Sequence, residues 1–313
     1  MIEHFPGLRT LRAFDAAARN LSFTRAAEEM VVTPAAISNQ IAELEDQLGF
    51  KLFIRTSRSM RLTREGEILS QAAGESLETL AKSLHRLKRL ENRNQIRVSS
   101  TPSVAAKWLV PRLDNFLEAF PGADVRIDVS NTLVDFDRDD VDVAIRFGAG
   151  RYPGLRAELL FNDTLSPVCS PVLITKEKPL QVPRDLLRHT LIHLEWQADG
   201  APWPNWRMWM QAAGIRDFDE KRGLHFGQTS LTIQAAIDGQ GITLGDSNLV
   251  ADDLAAGRLV KPFDLSLKAP DSFSYFVITR LDTKDAPMVN AFRDWCLIEA
   301  KKTENRISAT RQN

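Results

Sequence analysis

The chain has few of the residues that redox, metal-binding or membrane functions require. Only two cysteines occur in 313 residues, Cys169 and Cys296, and neither has a histidine or a second cysteine at metal-site spacing. No window approaches the run of about 20 apolar residues that a bilayer span needs, and the N-terminus shows no export signal. These absences predict reduced thiols packed in a core, a cytoplasmic location and no membrane partner.

Motifs for catalysis are also missing. There is no nucleophile beside a base, no pair of carboxylates and no phosphate-binding loop at a recognisable spacing. Gly239 and Gly241 lack the third glycine of a dinucleotide site. His189 and His193 fall at a helix-to-strand transition, where helical zinc spacing does not converge. The sequence therefore predicts no enzyme, no metal and no cofactor.

The sequence does contain a basic stripe, although its net charge is only −1. The length suggests about two domains, or one domain with an added module. A local cluster of positive charge in such a chain is typical of a nucleic-acid-binding module. The cluster contains no acidic residue, and its members are Lys51, Arg55, Arg58, Arg61 and Arg64.

Three amphipathic helices are predicted before and up to this stripe. The first covers 8–21, and Ser22 is the N-cap of the second. Thr33 is the N-cap of the third helix, Pro34 occupies its first turn and Gly49 ends it. A winged helix-turn-helix requires a short helix, a tight turn, a second helix and a basic hairpin, and the sequence predicts these elements in this order.

The outward face of the third helix carries small and amide-bearing side chains that suit the DNA major groove. Asn39 can pair with adenine, Ser38 can bond a base or a phosphate, and the Ala35 methyl group can touch thymine. A solvated polar face is the alternative interpretation, but the basic hairpin that follows favours DNA binding. The predicted DNA-binding residues are Ser22, Thr33, Pro34, Ala35, Ser38, Asn39, Gln40, Arg55, Thr56, Arg58 and Arg61.

The N-terminal region also matches a known pattern at many fixed positions. These include Leu21-Ser22-Phe23-Thr24-x-Ala26-Ala27, Ile37-Ser38-x-Gln40-Ile41, Leu44-Glu45-x2-Leu48-Gly49-x2-Leu52-Phe53 and Arg61-Leu62-Thr63-x2-Gly66. With these motifs the region resembles the DNA-binding domain of LysR-type transcriptional regulators. The family often has glutamine where this chain has Pro34 and arginine where it has Asn39. We therefore expect an altered preference for the DNA half-site.

A long helical stretch follows from Glu67. Its apolar positions alternate in steps of four and three, which predicts a short coiled-coil seam and a dimer that places two recognition helices about one DNA turn apart. A helix packed on its own domain is the alternative. The resemblance favours dimerisation, implies a homodimer or homotetramer, and leaves contact with RNA polymerase open. The seam consists of Ala73, Leu77, Leu80, Leu84 and Leu87.

The remainder alternates between strands and helices from Gln95 onward. A strand at 96–98, a helix ending at Pro121-Gly122 and a strand at 125–129 predict a βαβ unit, hence an α/β domain. Trp203, Trp206 and Trp209 lie at three-residue steps and are interpreted as one helix face in the core or at a subunit contact.

Two hydroxyl-rich segments are candidate ligand sites. Ser100-Thr101-Pro102-Ser103 lies between a strand and its helix, and Gln228-Thr229-Ser230 precedes another helix. Ligands of open α/β sheets bind at such strand ends, where hydroxyl and backbone N–H groups converge. Ordinary helix capping is the alternative interpretation. An arginine such as Arg146, at a strand end, is either a carboxylate partner or a structural residue.

The resemblance extends to about Ala300, on motifs such as Asp142-Val143-Ala144-Ile145-Arg146-Phe147-Gly148 and Ala235-Ala236-x2-Gly239-x-Gly241-Ile242. It implies a two-lobed effector domain that is similar to periplasmic binding proteins and holds an amino acid, an organic acid or a peptidoglycan fragment between its lobes. The effector-binding residues that it implies are Thr101, Ser103, Thr132, Arg146, Thr229, Ser230 and Tyr275.

These inferences combine into one predicted architecture: an all-α winged helix-turn-helix domain and an α/β effector domain joined by a long linker helix. The predicted function is effector-modulated transcription regulation. The alternative is a ligand-independent regulator whose α/β domain serves only in oligomerisation. The predicted bounds are 1–64 for the DNA-binding domain, 65–93 for the linker, about 94–164 and 268–300 for lobe 1, about 165–267 for lobe 2, and 301–313 for a disordered tail.

Overall fold

The computed structural model divides the chain into two compact units, and each is described by itself. The N-terminal unit comprises Met1–Lys88 with Arg138–Asp140, and the C-terminal unit comprises Arg89–Asp137 with Val141–Asn313. The residues that the structure describes are 6–55, 59–89, 94–195, 203–268, 273–283 and 286–310.

The N-terminal unit packs three short helices and a small hairpin around one apolar core. Its elements are α1 (Leu8–Asn20), α2 (Phe23–Met30), α3 (Pro34–Leu48), β1 (Phe53–Arg55), β2 (Met60–Leu62) and α4 (Arg64–Arg89). Phe14, Ile37, Ile41, Leu44 and Leu52 are fully buried in this core. The central apolar positions of α1 and α3 face the core as predicted, but Leu8 and Leu21 are 51% and 47% exposed.

A buried carboxylate fixes the hairpin to α3. Glu45 accepts the backbone N–H groups of Leu52 at 2.9 Å and Phe53 at 3.3 Å, and Lys51 Nζ lies 2.7 Å from its other oxygen. Burial alone would raise the pKa of Glu45, but the bonds from Lys51 and the two N–H groups lower it overall. The hairpin therefore has a defined position on the end of α3.

The predicted seam of α4 divides into two parts. Ala73 is buried in the core of its own unit and Leu77 is half-buried. Leu80 and Leu84 are 39% and 52% exposed, so this part of the seam is available to a partner. The side chain of Leu87 lies outside the described residues.

The C-terminal unit contains two five-stranded sheets. Its elements are β3 (Gln95–Ser100), α5 (Pro102–Val104), a π turn (Ala105–Leu109), a 3-10 turn (Val110–Arg112), α6 (Leu113–Ala119), β4 (Asp124–Val129), β5 (Val143–Gly148), β6 (Leu155–Phe161), β7 (Thr164–Val168), 3-10 turns at Pro171–Leu173 and Pro183–Arg188, β8 (Leu191–Leu194), α7 (Trp206–Ala212), β9 (Leu224–Phe226), α8 (Thr229–Ile237), β10 (Ile242–Asp246), α9 (Ala251–Ala255), β11 (Leu267–Lys268), β12 (Ser274–Arg280) and α10 (Pro287–Thr310).

Each sheet forms one lobe. Lobe 1 has the strand order β4-β3-β5-β12-β6, and lobe 2 has the order β11-β7-β10-β8-β9. The predicted βαβ unit is confirmed, because β3 and β4 are parallel and the helical run 102–119 connects them. The chain crosses between the lobes at 162–163, after β6, and returns before β12. Carboxyl ends of strands from both sheets therefore meet near the crossing.

Two expectations for this unit need correction. The tail prediction is wrong for 301–310, which continue α10 as a helix. Thr303 is only 1% exposed and its Oγ1 atom accepts a bond from Trp108 Nε1 at 3.4 Å, so the polar segment is anchored. In addition, α7 begins at Trp206, with Trp206 and Trp209 buried, and Trp203 precedes the helix. Among the described helices, none is long and apolar enough to cross a membrane.

Candidate functional site

The first candidate site is the outward face of α3. Pro34, Ala35 and Asn39 are exposed on this face, and Ser38 and Gln40 are half-buried beside them. Ile37 and Ile41, on the opposite side of the helix, are fully buried. The core therefore fixes the helix in a position that leaves the predicted reading residues at the surface.

The two predicted N-cap residues hold the helix starts. Ser22 Oγ accepts the backbone N–H of Arg25 at 3.3 Å, and Thr33 Oγ1 accepts that of Ala36 at 3.2 Å. Such caps satisfy N–H groups that a helix start leaves without partners. These hydroxyl groups therefore position α2 and α3.

The hairpin contains the residues for which the sequence predicts phosphate contacts. Strands β1 and β2 are antiparallel, with Ile54 opposite Arg61. Arg61 is exposed. The side chain of Arg55 and the whole of Thr56 and Arg58 lie outside the described residues, so their predicted contacts remain predictions.

The second candidate site is a cleft of about 130 Å³ between the two lobes of the C-terminal unit. Hydroxyl, amide, aromatic and apolar side chains from both lobes surround it. Its lining residues are Thr101, Pro102, Ser103, Asn131, Leu133, Arg146, Phe147, Leu194, Trp203, Gly227, Gln228, Thr229 and Tyr275.

The structure brings most of the predicted effector residues together, with two exceptions. Thr132 and Ser230 do not line the cleft. The backbone carbonyl of Thr132 accepts a bond from Arg146 Nη2 at 3.2 Å, and the backbone N–H of Ser230 donates to Ser103 Oγ at 3.0 Å. Ser103 belongs to lobe 1 and Ser230 to lobe 2, so this bond links the lobes at the edge of the cleft.

Tyr275 forms part of the cleft wall through its aromatic ring. It is 7% exposed, and its ring centroid lies 5.0 Å from that of Phe147 and 4.8 Å from that of Phe161. Its hydroxyl group donates to Asp246 at 3.4 Å. Burial, together with the nearby carboxyl groups, raises the pKa of Tyr275 well above its ordinary value, so the phenol stays neutral.

Several lining residues escaped the sequence analysis. Leu194 is the last residue of β8, so the strand-end rule could have found it; Gln228 belongs to a candidate segment but was not among the predicted effector residues. Trp203 packs edge-on against Phe147 with ring centroids 4.8 Å apart. No local signal marks that contact, because β5 and the segment before α7 meet only in the folded chain.

Family comparisons agree with both halves of this architecture. Residues 8–67 match the description "Bacterial regulatory helix-turn-helix protein, lysR family", and residues 89–301 match "LysR substrate binding domain". The chain belongs to the LysR family of transcriptional regulators. The predicted resemblance and fold class are therefore confirmed.

Curated relatives of the same family align over almost the whole chain. The Escherichia coli glycine cleavage system transcriptional activator is 42% identical over 307 residues, which is 98% of each protein. The transcriptional activator AmpR of Pseudomonas aeruginosa is 36% identical over 305 residues, covering 97% of this chain and 98% of AmpR. These relatives are named as regulators of transcription, in agreement with the predicted function class.

Among solved structures, the effector domain of Pseudomonas aeruginosa AmpR is similar to the C-terminal unit. It is 28% identical with a TM-score of 0.52, and the match covers 68% of this chain and all but a small part, 99%, of that domain. The chain is thus a LysR-family regulator with a helix-turn-helix domain that binds DNA and an effector-binding domain that modulates it.

Proposed function

We propose that this regulator reads a specific DNA sequence with α3 and responds to a small molecule bound in the cleft between its lobes. The observation that carries the proposal is the cleft itself, where Thr101 and Ser103 of lobe 1 face Thr229 of lobe 2. A concave site with convergent polar groups from two lobes is typical of a ligand site. A domain that served only in oligomerisation would not need such a site.

The link between Ser103 and Ser230 suggests how the ligand acts. The Ser230 N–H group donates to Ser103 Oγ across the lobes. A ligand that competes for Ser103, or that bridges Thr101 and Thr229, binds one lobe arrangement better than another. It therefore shifts the equilibrium between arrangements by its difference in affinity.

The effector proposal is tested on the full chain by thermal shift against amino acids, organic acids and peptidoglycan fragments. A ligand that binds only the folded state raises the unfolding midpoint in proportion to its occupancy. The shift should disappear in Thr101→Val combined with Thr229→Val, which keeps the shape of the side chains and removes both hydroxyl groups. If no compound of any class changes the midpoint, the effector proposal fails and the ligand-independent alternative stands.

The DNA proposal assigns different tasks to α3 and to the hairpin. Asn39→Ala should relax sequence preference, because the exposed amide is the predicted base-reading group. Arg61→Ala should weaken binding to all sequences and reduce the salt dependence, because a phosphate contact is lost. Mobility-shift titrations at two salt concentrations, with a sequence selected from a random library and a scrambled control, measure both. The opposite pattern in the two variants would overturn these assignments.

We also propose that α4 associates with a second copy of the chain. Leu80 and Leu84 are 39% and 52% exposed on one helix, although leucine normally favours burial. Leu80→Glu with Leu84→Glu should convert a dimer or tetramer to a smaller species in sedimentation-velocity experiments. Ser76→Glu with Ser83→Glu, which adds the same charge at exposed positions of α4, is the matched control.

A further inference from the structure

The cleft contains a buried positive charge, that of Arg146 on β5. The residue is 3% exposed and its guanidinium group bonds only neutral oxygens. Nη1 donates to the Ile145 carbonyl at 2.9 Å, and Nη2 donates to Ser99 Oγ at 2.7 Å and to the Thr132 carbonyl at 3.2 Å. Arg146 is therefore held firmly in the wall of the cleft by groups that do not neutralise it.

No carboxylate of the described residues pairs with Arg146, and its Nε atom is buried without a hydrogen-bond partner. Burial lowers the pKa of the guanidinium group, although arginine keeps its proton in proteins. Another buried arginine of the same unit shows the usual arrangement. Arg112, 6% exposed, forms a two-point ion pair with Asp252 at 2.8 and 3.1 Å.

The other described residues of the cleft wall add no negative charge. The lining includes no aspartate or glutamate. Asp246, on the far side of Tyr275, accepts the Tyr275 hydroxyl group and is fully buried away from the cleft. Thr229 begins α8, so the partly positive N-terminal end of a nine-residue helix also borders the cleft. The described part of the site is thus suited to negative charge and contains no carboxylate to pair with a cation.

The cleft offers about 130 Å³ to a ligand. A short organic acid fits such a space. Polar groups for the rest of a small acid are at hand in Thr101, Ser103 and Gln228.

We infer that the effector is a small carboxylic acid without a cationic group, and that Arg146 is the residue that recognises its carboxylate. The inference rests on the proposed function and specifies the ligand class of the same cleft. The cleft should bind acids more tightly than amino acids, because an ammonium group would lose its water of hydration there and gain no carboxylate of the described lining in return.

The test compares ligands that differ in one group, with the full chain and isothermal titration calorimetry. Glycolate, lactate and malate are the acids; glycine, alanine and aspartate carry an ammonium group in place of the hydroxyl group; and glycolamide, lactamide and malamide are uncharged. We expect at least one acid to bind at least tenfold more tightly than its amine and amide counterparts. Equal or tighter binding of an amino acid or an amide overturns the inference but leaves the proposed function intact. Absence of binding by all three acids also overturns the inference.

Variants of Arg146 test whether its charge binds the ligand carboxylate. Arg146→Gln should weaken acid binding at least tenfold and abolish the preference for the acid over its amide. Arg126→Gln, which removes one exposed positive charge from β4 of the same lobe, should leave both quantities unchanged. If Arg146→Gln fails to fold, Arg146→Lys takes its place, and it should retain the preference for acid with a weaker affinity, because lysine keeps the charge but loses the planar fork. Unchanged acid affinity in the folded variant refutes the assignment.

Discussion

The crossing between the lobes buries two carboxyl groups, those of Asp163 and Asp246. Asp246 accepts the backbone N–H groups of Asn248 at 3.1 Å and Leu249 at 3.3 Å, as well as the Tyr275 hydroxyl group. Asp163 accepts one bond from Asn248 Nδ2 at 2.6 Å, and its Oδ2 atom has no other donor. Asp246 accepts more hydrogen bonds, so we expect it to be the ionised member and Asp163 to be the protonated one.

The proton of Asp163 makes stability depend on pH with a defined sign. Burial, and next the charge of Asp246, raise the pKa of Asp163 well above its ordinary value of 3.8. In the unfolded chain Asp163 releases its proton above that ordinary value, while the folded chain retains it. The free energy of unfolding therefore falls by about 1.4 kcal/mol per pH unit, starting near pH 4 and ending at the raised pKa.

Asp163→Asn removes this dependence, because the carboxamide Nδ2 donates to Asp246 as the protonated carboxyl group did and has no proton to release. The difference in free energy of unfolding, variant minus wild type, should rise by about 1.4 kcal/mol per pH unit from near pH 4 until the raised pKa of Asp163 is reached. Urea unfolding followed by tryptophan fluorescence measures it. All six tryptophans lie at or beyond position 108, in the C-terminal unit, so the signal reports this unit alone.

A control and a refuting result complete this experiment. Asp238→Asn removes an exposed carboxylate of the same unit and is the matched control. Parallel pH profiles for wild type and Asp163→Asn would show that Asp163 does not retain its proton in the folded chain, and would refute the reasoning.

Three further predictions concern stability. Val31 is 91% exposed and, with a φ of 56°, is a β-branched residue in the left-handed region. Val31→Asn should therefore stabilise the N-terminal unit by about 1 kcal/mol, which hydrogen exchange of the α2 and α3 amides measures. Gly66→Ala would place Cβ too close to the Leu52 carbonyl oxygen to be tolerated, so the same amides should lose protection. Arg112→Ala removes the two-point bond to Asp252, which keeps Arg306 as a partner, and should destabilise the C-terminal unit by about 2 kcal/mol in urea.

The N-terminal unit could be predicted closely because its signals are local. Ser22 and Thr33 precede apolar periods and each caps the helix that follows. Gly49 ends α3 with a φ of 76°, as a C-terminal glycine is expected to. Val31 shows the limit of such reasoning, because it is the left-handed C-cap of α2, a position where valine is not expected and no residue preference announces it.

The cleft could be predicted only in part, because it depends on residues far apart in sequence. Strand ends and hydroxyl groups pointed to Thr101 and Thr229, which do line it. The pair Asp163 and Asp246 joins positions 83 residues apart across the lobe crossing, and Trp203 and Phe147 are 56 residues apart. The polar composition of 301–310 suggested disorder. The contacts that order this segment could not be predicted, because the buried partners of Thr303 lie far away in sequence, on the helical run after β3.

Arg146 shows why the sequence left two interpretations open and why the structure supports both. As a structural residue it connects β3, β5 and the segment at Thr132 through bonds to neutral oxygens. Those bonds satisfy the hydrogen-bonding geometry of Arg146 but supply no negative charge. Arg112, another buried arginine of the same unit, obtains that charge from Asp252. A ligand carboxylate at Arg146 would supply that charge to a residue already tied to two strands. Binding at this point therefore stabilises the wall of lobe 1 as well as the ligand, and the acid-selective titrations of Arg146→Gln measure that coupling directly.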